Sequence, residues 1–276
     1  MACLAGASML LPGGAQAQRR TQRHERFVVY YSDRAPISAF APFQTAVLDA
    51  DYHPPLAPLR ARGIRCFGYI SAGEAERARS HAPDLPPEVV LAENPNWPGS
   101  HYADVRHPAW NALVLDRLVP QLLARGFDGI FLDTLDNPPF LEARDPVANR
   151  GMTAAAAALV LAIRARNPGV PIMLNRAYEL HETVGGAIDI VLAESLLGGY
   201  DFAARRYRPV DADGVRWGLT RLDALRSRHP SVRIFALDYW DPEDLDGIRR
   251  LYRANRERGF IPYVATIDLH RIVTEP

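Results

Sequence analysis

Two acidic residues stand where an acid is costly unless it is used. Asp133 closes the run Gly129-Ile130-Phe131-Leu132, and Glu194 closes Ile190-Val191-Leu192-Ala193. A carboxylate against apolar packing loses solvation that only a partner or a function repays. Two carboxyls sharing such a site do not both ionise freely, so one can keep a proton and donate it while the other stays charged. A pair of this kind flanking a glycosidic bond is the basic equipment of glycoside hydrolysis.

Further polar residues gather after the other apolar runs. They are Asp49, Asp51 and His53; Tyr69, Ser71 and Glu74; Asp136 and Asn137; Asn175 and Arg176; and Asp238. Asp104 and Arg106 belong to the same set, as groups that would bind a substrate. Tyr30, Tyr69, Trp97, Tyr200, Tyr239 and Trp240 offer ring faces for sugar stacking. Each has a plainer reading. A strand-end aspartate is more often a helix cap than a catalytic group; Asp136 and Asp241 fit that role, and Asp133 does not. His53 before Pro54-Pro55 either orders a turn or faces substrate. Arg77 and Arg79 read as a solvated helix face, and Trp110 and Tyr252 as core. Cys66, within a strand, reads as a small packed residue. No H-E-x-x-H spacing occurs among the eight histidines, so neither a catalytic metal nor any other cofactor is expected.

The elements that would position these groups alternate. Strand patterns cover Phe27–Tyr31, Ala46–Asp49, Ile64–Ser71, Gly129–Asp133, Pro171–Asn175, Asp189–Ser195, Arg233–Trp240 and Ile261–Thr266. Near-continuous apolar runs of this length suit parallel strands buried on both faces. Helical patterns cover Pro108–Arg125, Thr153–Arg166, Leu219–Arg228 and Pro242–Arg258. The Arg-Gly steps at Gly63, Gly126 and Gly259 read as left-handed helix exits into strands. Eight strands with intervening helices predict α/β architecture, a single (β/α)8 TIM barrel, whose C-terminal strand ends carry the active site. A doubly wound sheet is the alternative, but no Gly-x-Gly-x-x-Gly follows the first strand.

The composition excludes several chemistries. The 276 residues hold 32 basic and 32 acidic side chains, and every basic one is arginine. Without lysine there is no Schiff base, no P-loop and no kinase machinery. Zero net charge argues against broad nucleic-acid binding. Residues 1–25 read as a truncated signal peptide, with Ala15-Gln16-Ala17 as cleavage signature and no positive n-region, followed by a polar linker. A disordered tail is the alternative. The apolar run is too short for a transmembrane segment. Residues 26–276 form the expected hydrolase domain, and a secreted or periplasmic location follows.

The segments DADYHPPLAPLRARGIRCFGYISAGEAERAR (Asp49–Arg79), NPNWPGSHYADVRHPAW (Asn94–Trp110), GFDGIFLDTLDN (Gly126–Asn137) and LAES (Leu192–Ser195) resemble the endo-α-1,4-polygalactosaminidase-like glycoside hydrolases. The resemblance covers nearly all of Arg26–Thr266. It implies a TIM barrel that cleaves Pel-like polymers rich in α-1,4-linked galactosamine and N-acetylgalactosamine. It further implies Asp133 as nucleophile and Glu194 as acid/base. Some relatives continue into a deacetylase domain; this chain ends at Pro276, which reads as a stand-alone hydrolase. The many strand-end acids would give an acidic mouth for a cationic amino-sugar polymer, with Arg106 and Arg176 holding some of them. Competing readings are a non-catalytic carbohydrate-binding barrel, a Mg²⁺-dependent phosphodiesterase or lyase, and a structural protein.

Overall fold

The computed structural model describes residues 25–276. The proposed signal segment and Cys3 lie outside them. The strands are β1 (Phe27–Tyr30), β2 (Thr45–Leu48), β3 (Arg65–Ser71), β4 (Glu74–Glu76), β5 (Val90–Glu93), β6 (Ser100–Ala103), β7 (Gly129–Asp133), β8 (Ile172–Asn175), β9 (Ile190–Glu194), β10 (Gly198–Asp201), β11 (Arg206–Pro209), β12 (Arg233–Tyr239) and β13 (Ile261–Ala265). Eight of them form one sheet in the order β1-β2-β3-β7-β8-β9-β12-β13. Every adjacent pair is parallel. The sheet curls until its edges meet, with the Phe27 ring 4.6 Å from Phe235 and 5.7 Å from Tyr263. Beyond that seam the Tyr31 N–H donates to the Leu269 carbonyl at 2.9 Å. The result is a near-closed TIM barrel, and the eight expected strands are its eight staves.

The helices are α1 (Leu56–Arg60), α2 (Pro108–Ala112), α3 (Val119–Ala124), α4 (Asn137–Arg144), α5 (Met152–Arg166), α6 (His181–Val184), α7 (Ala212–Arg228) and α8 (Leu245–Glu257). α2 and α3 are joined by a π-helical stretch, Leu113–Leu118, so the helix expected over Pro108–Arg125 is continuous. Pro120 donates no hydrogen bond and crowds the turn before it, and a widened turn absorbs both effects. α7 starts at Ala212 rather than Leu219, where the Asp211 carboxylate accepts from the Gly214 N–H at 2.8 Å. That first turn is polar and exposed, so apolar periodicity did not mark it. Gly63, Gly126 and Gly259 adopt φ of 77°, 99° and 75°, as their helix-exit reading requires.

Two excursions leave the C-terminal strand ends. After β3 the chain forms a three-stranded sheet ordered β4-β6-β5, and after β9 it forms the hairpin β10–β11. Neither was expected from the sequence pattern. Their tips meet through Trp97 and Phe202, whose ring centres are 5.3 Å apart.

Candidate active site

Four neighbouring barrel strands, β7, β8, β9 and β12, end on Asp133, Asn175, Glu194 and Tyr239. The register staggers Glu194 two residues beyond the partner of Asn175, and Tyr239 two beyond the partner of Glu194, yet the side chains meet. The Asn175 amide nitrogen donates to Asp133 Oδ1 at 2.7 Å and to Glu194 Oε2 at 2.5 Å. One nitrogen touching both sets those two oxygens no more than about 5.2 Å apart. The Tyr239 hydroxyl donates to Glu194 Oε1, and the Thr134 N–H donates to Asp133 Oδ1 at 2.8 Å. Asp133 Oδ2 has no protein partner among the described residues.

Burial, and then repulsion from Glu194, push the Asp133 carboxyl up to about 8, against the opposing pull of the Asn175 amide. The Asp133 carboxyl therefore keeps its proton at neutral pH. Burial and the Glu194 charge hold the Tyr239 phenol well above its usual range, so it remains a neutral donor. Tyr31 and Tyr69 are held up by burial and by Asp133 in the same way. Asn175→Ala removes a hydrogen bond that favours the ionised form of Asp133. Loss of a bond to a charged group is expected to move the alkaline limb of the pH–rate profile up by about one pH unit. A kcat/KM–pH series on the two proteins measures it.

Thr134 shows how Asp133 is aimed. Its φ is 65°, a conformation that a β-branched residue avoids. The turn is held by its hydroxyl, which donates to the Asp133 carbonyl at 2.6 Å and accepts from the Gly73 N–H at 2.8 Å. Such strain persists where the surroundings over-determine it, typically at a functional site. A Cβ on Gly73 would sit 2.2 Å from the Thr134 carbonyl oxygen. Gly73→Ala must displace the backbone beside Asp133. It is expected to cut kcat by about 10²-fold, the cost of a misplacement near 1 Å; steady-state kinetics with a melting curve measures it.

The other proposed groups divide by the pleat. Tyr31, not Tyr30, faces the barrel axis, 5.2 Å from the Tyr69 ring. Tyr30 is 2% exposed, and its hydroxyl accepts from the Ala35 N–H at 2.8 Å, so it belongs to the core. Asp238, one residue before Tyr239, is fully buried; it accepts from Leu197 N–H, Gly198 N–H and the Asn255 amide. It anchors the chain after β9 and offers nothing to a substrate. Trp240 points outward and donates to Asp244 at 2.9 Å. Glu74 is buried and accepts from Asn94, Ser100 and Asn137, tying the small sheet to α4. Ser71 donates to the Glu74 carbonyl at 2.9 Å. His53 contacts the Pro54 carbonyl at 2.8 Å and packs edge-on to Phe127, which is its turn-ordering reading.

Most strand-end acids are already paired. Arg79, read as a solvated face, instead bonds Asp49, Asp51 and Glu76 at 2.6–3.0 Å. Those carboxylates hold its guanidinium above its usual range despite burial. Burial works against ionisation of Asp51, but hydrogen bonds from Arg125 and Arg79 prevail and lower its carboxyl. Arg106 grips Asp104 with two bonds of 2.8 Å and lowers it as well. Asp136 sits at the start of α4 but does not cap it; its carboxylate lies 3.2 Å from Arg176 Nε. The acidic mouth expected from the charge count is thus largely compensated, and Asp133 and Glu194 remain without a cationic partner.

A cavity of about 290 Å³ opens beside Glu194, bounded by Arg176, Tyr178, Tyr200, Arg208 and Trp217. Of these, Tyr178, Arg208 and Trp217 were not foreseen; they lie on elements whose strand-end logic does not apply. Tyr200 joins an aromatic row with Tyr207, Phe202 and Trp97, at centre distances of 5.1, 5.4 and 5.3 Å between successive or shared neighbours. Among the described residues, no three His, Cys, Asp or Glu side chains converge as a metal cage.

A sequence model of glycoside-hydrolase family GH114 matches residues 12–275. An uncharacterised protein of Deinococcus radiodurans is 30% identical over 243 residues, 84% of this chain and 76% of its own length. Among solved structures, the glycoside hydrolase domain of PelA from Pseudomonas aeruginosa matches with TM-score 0.80 at 30% identity, over 91% of this chain and 98% of that one. Aspergillus fumigatus Ega3, solved in complex with galactosamine, matches in fold with TM-score 0.66 at 15% identity, over 91% and 94% of the two chains.

Proposed function

This chain belongs to glycoside-hydrolase family GH114, and we propose that it hydrolyses a Pel-like polysaccharide of α-1,4-linked galactosamine and N-acetylgalactosamine with retention of configuration. The hydrolase assignment sets aside the non-catalytic and phosphodiesterase or lyase readings. The observation that carries the mechanism is the Asn175 bridge, which keeps the facing carboxyl oxygens within about 5.2 Å. Retaining enzymes space their carboxyls by about 5–5.5 Å, whereas inverting enzymes need roughly 6.5–9.5 Å to admit a water.

Asp133 Oδ2, which accepts no hydrogen bond from the described residues, attacks the anomeric carbon. Its other oxygen is fixed by Thr134 and Asn175. Glu194 protonates the glycosidic oxygen, the leaving sugar departs, and a glycosyl ester forms on Asp133. Glu194 then takes a proton from water, which attacks the ester and restores Asp133. Before substrate binds, burial and the neighbouring Glu194 hold the proton on Asp133. A sugar ring developing positive charge over Oδ2 favours the carboxylate there and transfers the proton to Glu194.

The substrate assignment is supported by the quoted sequence motifs, by the PelA domain at 30% identity and by the sugar bound to Ega3. A secreted or periplasmic location suits a polymer substrate; no helix among the described residues is long and apolar enough to cross a membrane. Incubation with galactosamine-rich polymer, followed by product mass spectrometry, tests the reading. Wild type should release oligosaccharides and Asp133→Asn none. No cleavage of any galactosamine or N-acetylgalactosamine polymer would reject the substrate.

A further inference from the structure

The cavity beside Glu194 carries two guanidinium groups whose hydrogen-bonding capacity is unspent. Arg176 approaches Asp136 at 3.2 Å, yet its Nε is buried without a hydrogen bond. Arg208 lies 3.5 Å from Asp201, beyond good hydrogen-bond geometry. Asp211, on the same wall, has committed Oδ1 to the Gly214 N–H. The opposite wall is aromatic: Trp217 meets Tyr178 edge-on at 5.2 Å, and Arg221 covers a Trp217 face at 3.9 Å.

We infer that this cavity is a subsite for an N-acetylated amino sugar and selects against the free amine, an inference that rests on the galactosamine-polymer reading above. Guanidinium has five donors and no acceptor, so it needs an oxygen. The acetamido carbonyl supplies a neutral acceptor for Arg176 or Arg208, and its methyl group suits the Tyr178–Trp217 wall. A protonated amine supplies neither and meets two guanidinium groups, while the acids on the wall already accept from Tyr239, Asn175 and the Gly214 N–H. The chain would thereby read the acetylation pattern of its polymer and cut beside acetylated units.

The test uses two α-1,4-galactosamine hexamers, one with free amines throughout and one N-acetylated on alternate units. Wild type should cleave the alternating hexamer with kcat/KM about 10-fold higher, the value of one hydrogen bond to a charged group. Arg208→Met, on the exposed hairpin, should narrow that ratio to below about 3-fold, because one guanidinium remains. Equal or reversed preference in wild type, or an unchanged ratio in Arg208→Met, overturns the subsite. Cleavage of neither hexamer overturns the proposed substrate itself, a separate outcome that removes the subsite with it.

Discussion

Asp133→Asn should lower turnover of the polymer by more than about 10⁴-fold, as removal of a nucleophile does in other covalent mechanisms. It should also raise thermal stability above pH 8. The two effects have one origin. An unfolded aspartate ionises near about 3.9, whereas burial and Glu194 keep the folded Asp133 carboxyl protonated up to about 8. As pH climbs through that window the unfolded state gains by releasing a proton that the native state still holds. Wild type therefore loses stability between those two values and reaches a floor above pH 8. Asparagine has no proton to release and escapes the loss. Melting curves should show the variant gaining on wild type from pH 4 to pH 8, by more than about 4 °C for a chain of this size. A variant that melts below wild type at pH 8 would show that the pair is not held against its own repulsion.

Glu194→Gln should reduce polymer cleavage by about 10²–10⁴-fold, the usual contribution of a general acid. The loss depends on the leaving group. A sugar alkoxide needs a proton, so the polymer reaction suffers fully. An aryl galactosaminide with a low-pKa phenol departs unaided, and glycosylation of Asp133 should proceed at near wild-type rate. The ester then waits for water that no base activates, and azide, which needs no base, should rescue turnover and yield the α-glycosyl azide. A β-azide from this variant would exchange the two roles. Tyr239 and Asn175 both donate to Glu194, so glutamine must rotate its amide to keep one contact. Glu194→Ala with azide separates lost proton transfer from that rearrangement.

The barrel was legible because its strands are short apolar runs, most of them bounded by glycine, proline or acid. Asp133 and Glu194 stood out because an acid ending such a run has no packing role. The misplaced strand residues share one cause. In a strand buried on both faces, apolar residues do not reveal which side points to the axis, so Tyr30 was chosen over Tyr31. Asp238 was included beside Tyr239 for the same reason, although the pleat sends it outward to Asn255. The acidic mouth failed differently. Charge counting cannot see that Arg79 lies 30 residues from Asp49 in sequence and within 2.6 Å in space. Nor does any local pattern announce Thr134, whose left-handed backbone is imposed by Gly73 across a neighbouring strand.

The central claim is a double displacement on galactosamine-rich polymer by the Asp133–Glu194 pair. Its most direct test is proton NMR of the first minutes of hydrolysis, before new reducing ends mutarotate. The α-anomer should appear first, with the β-anomer growing in later. A β-anomer that appears first would contradict the mechanism and require a water between carboxyls that Asn175 holds together.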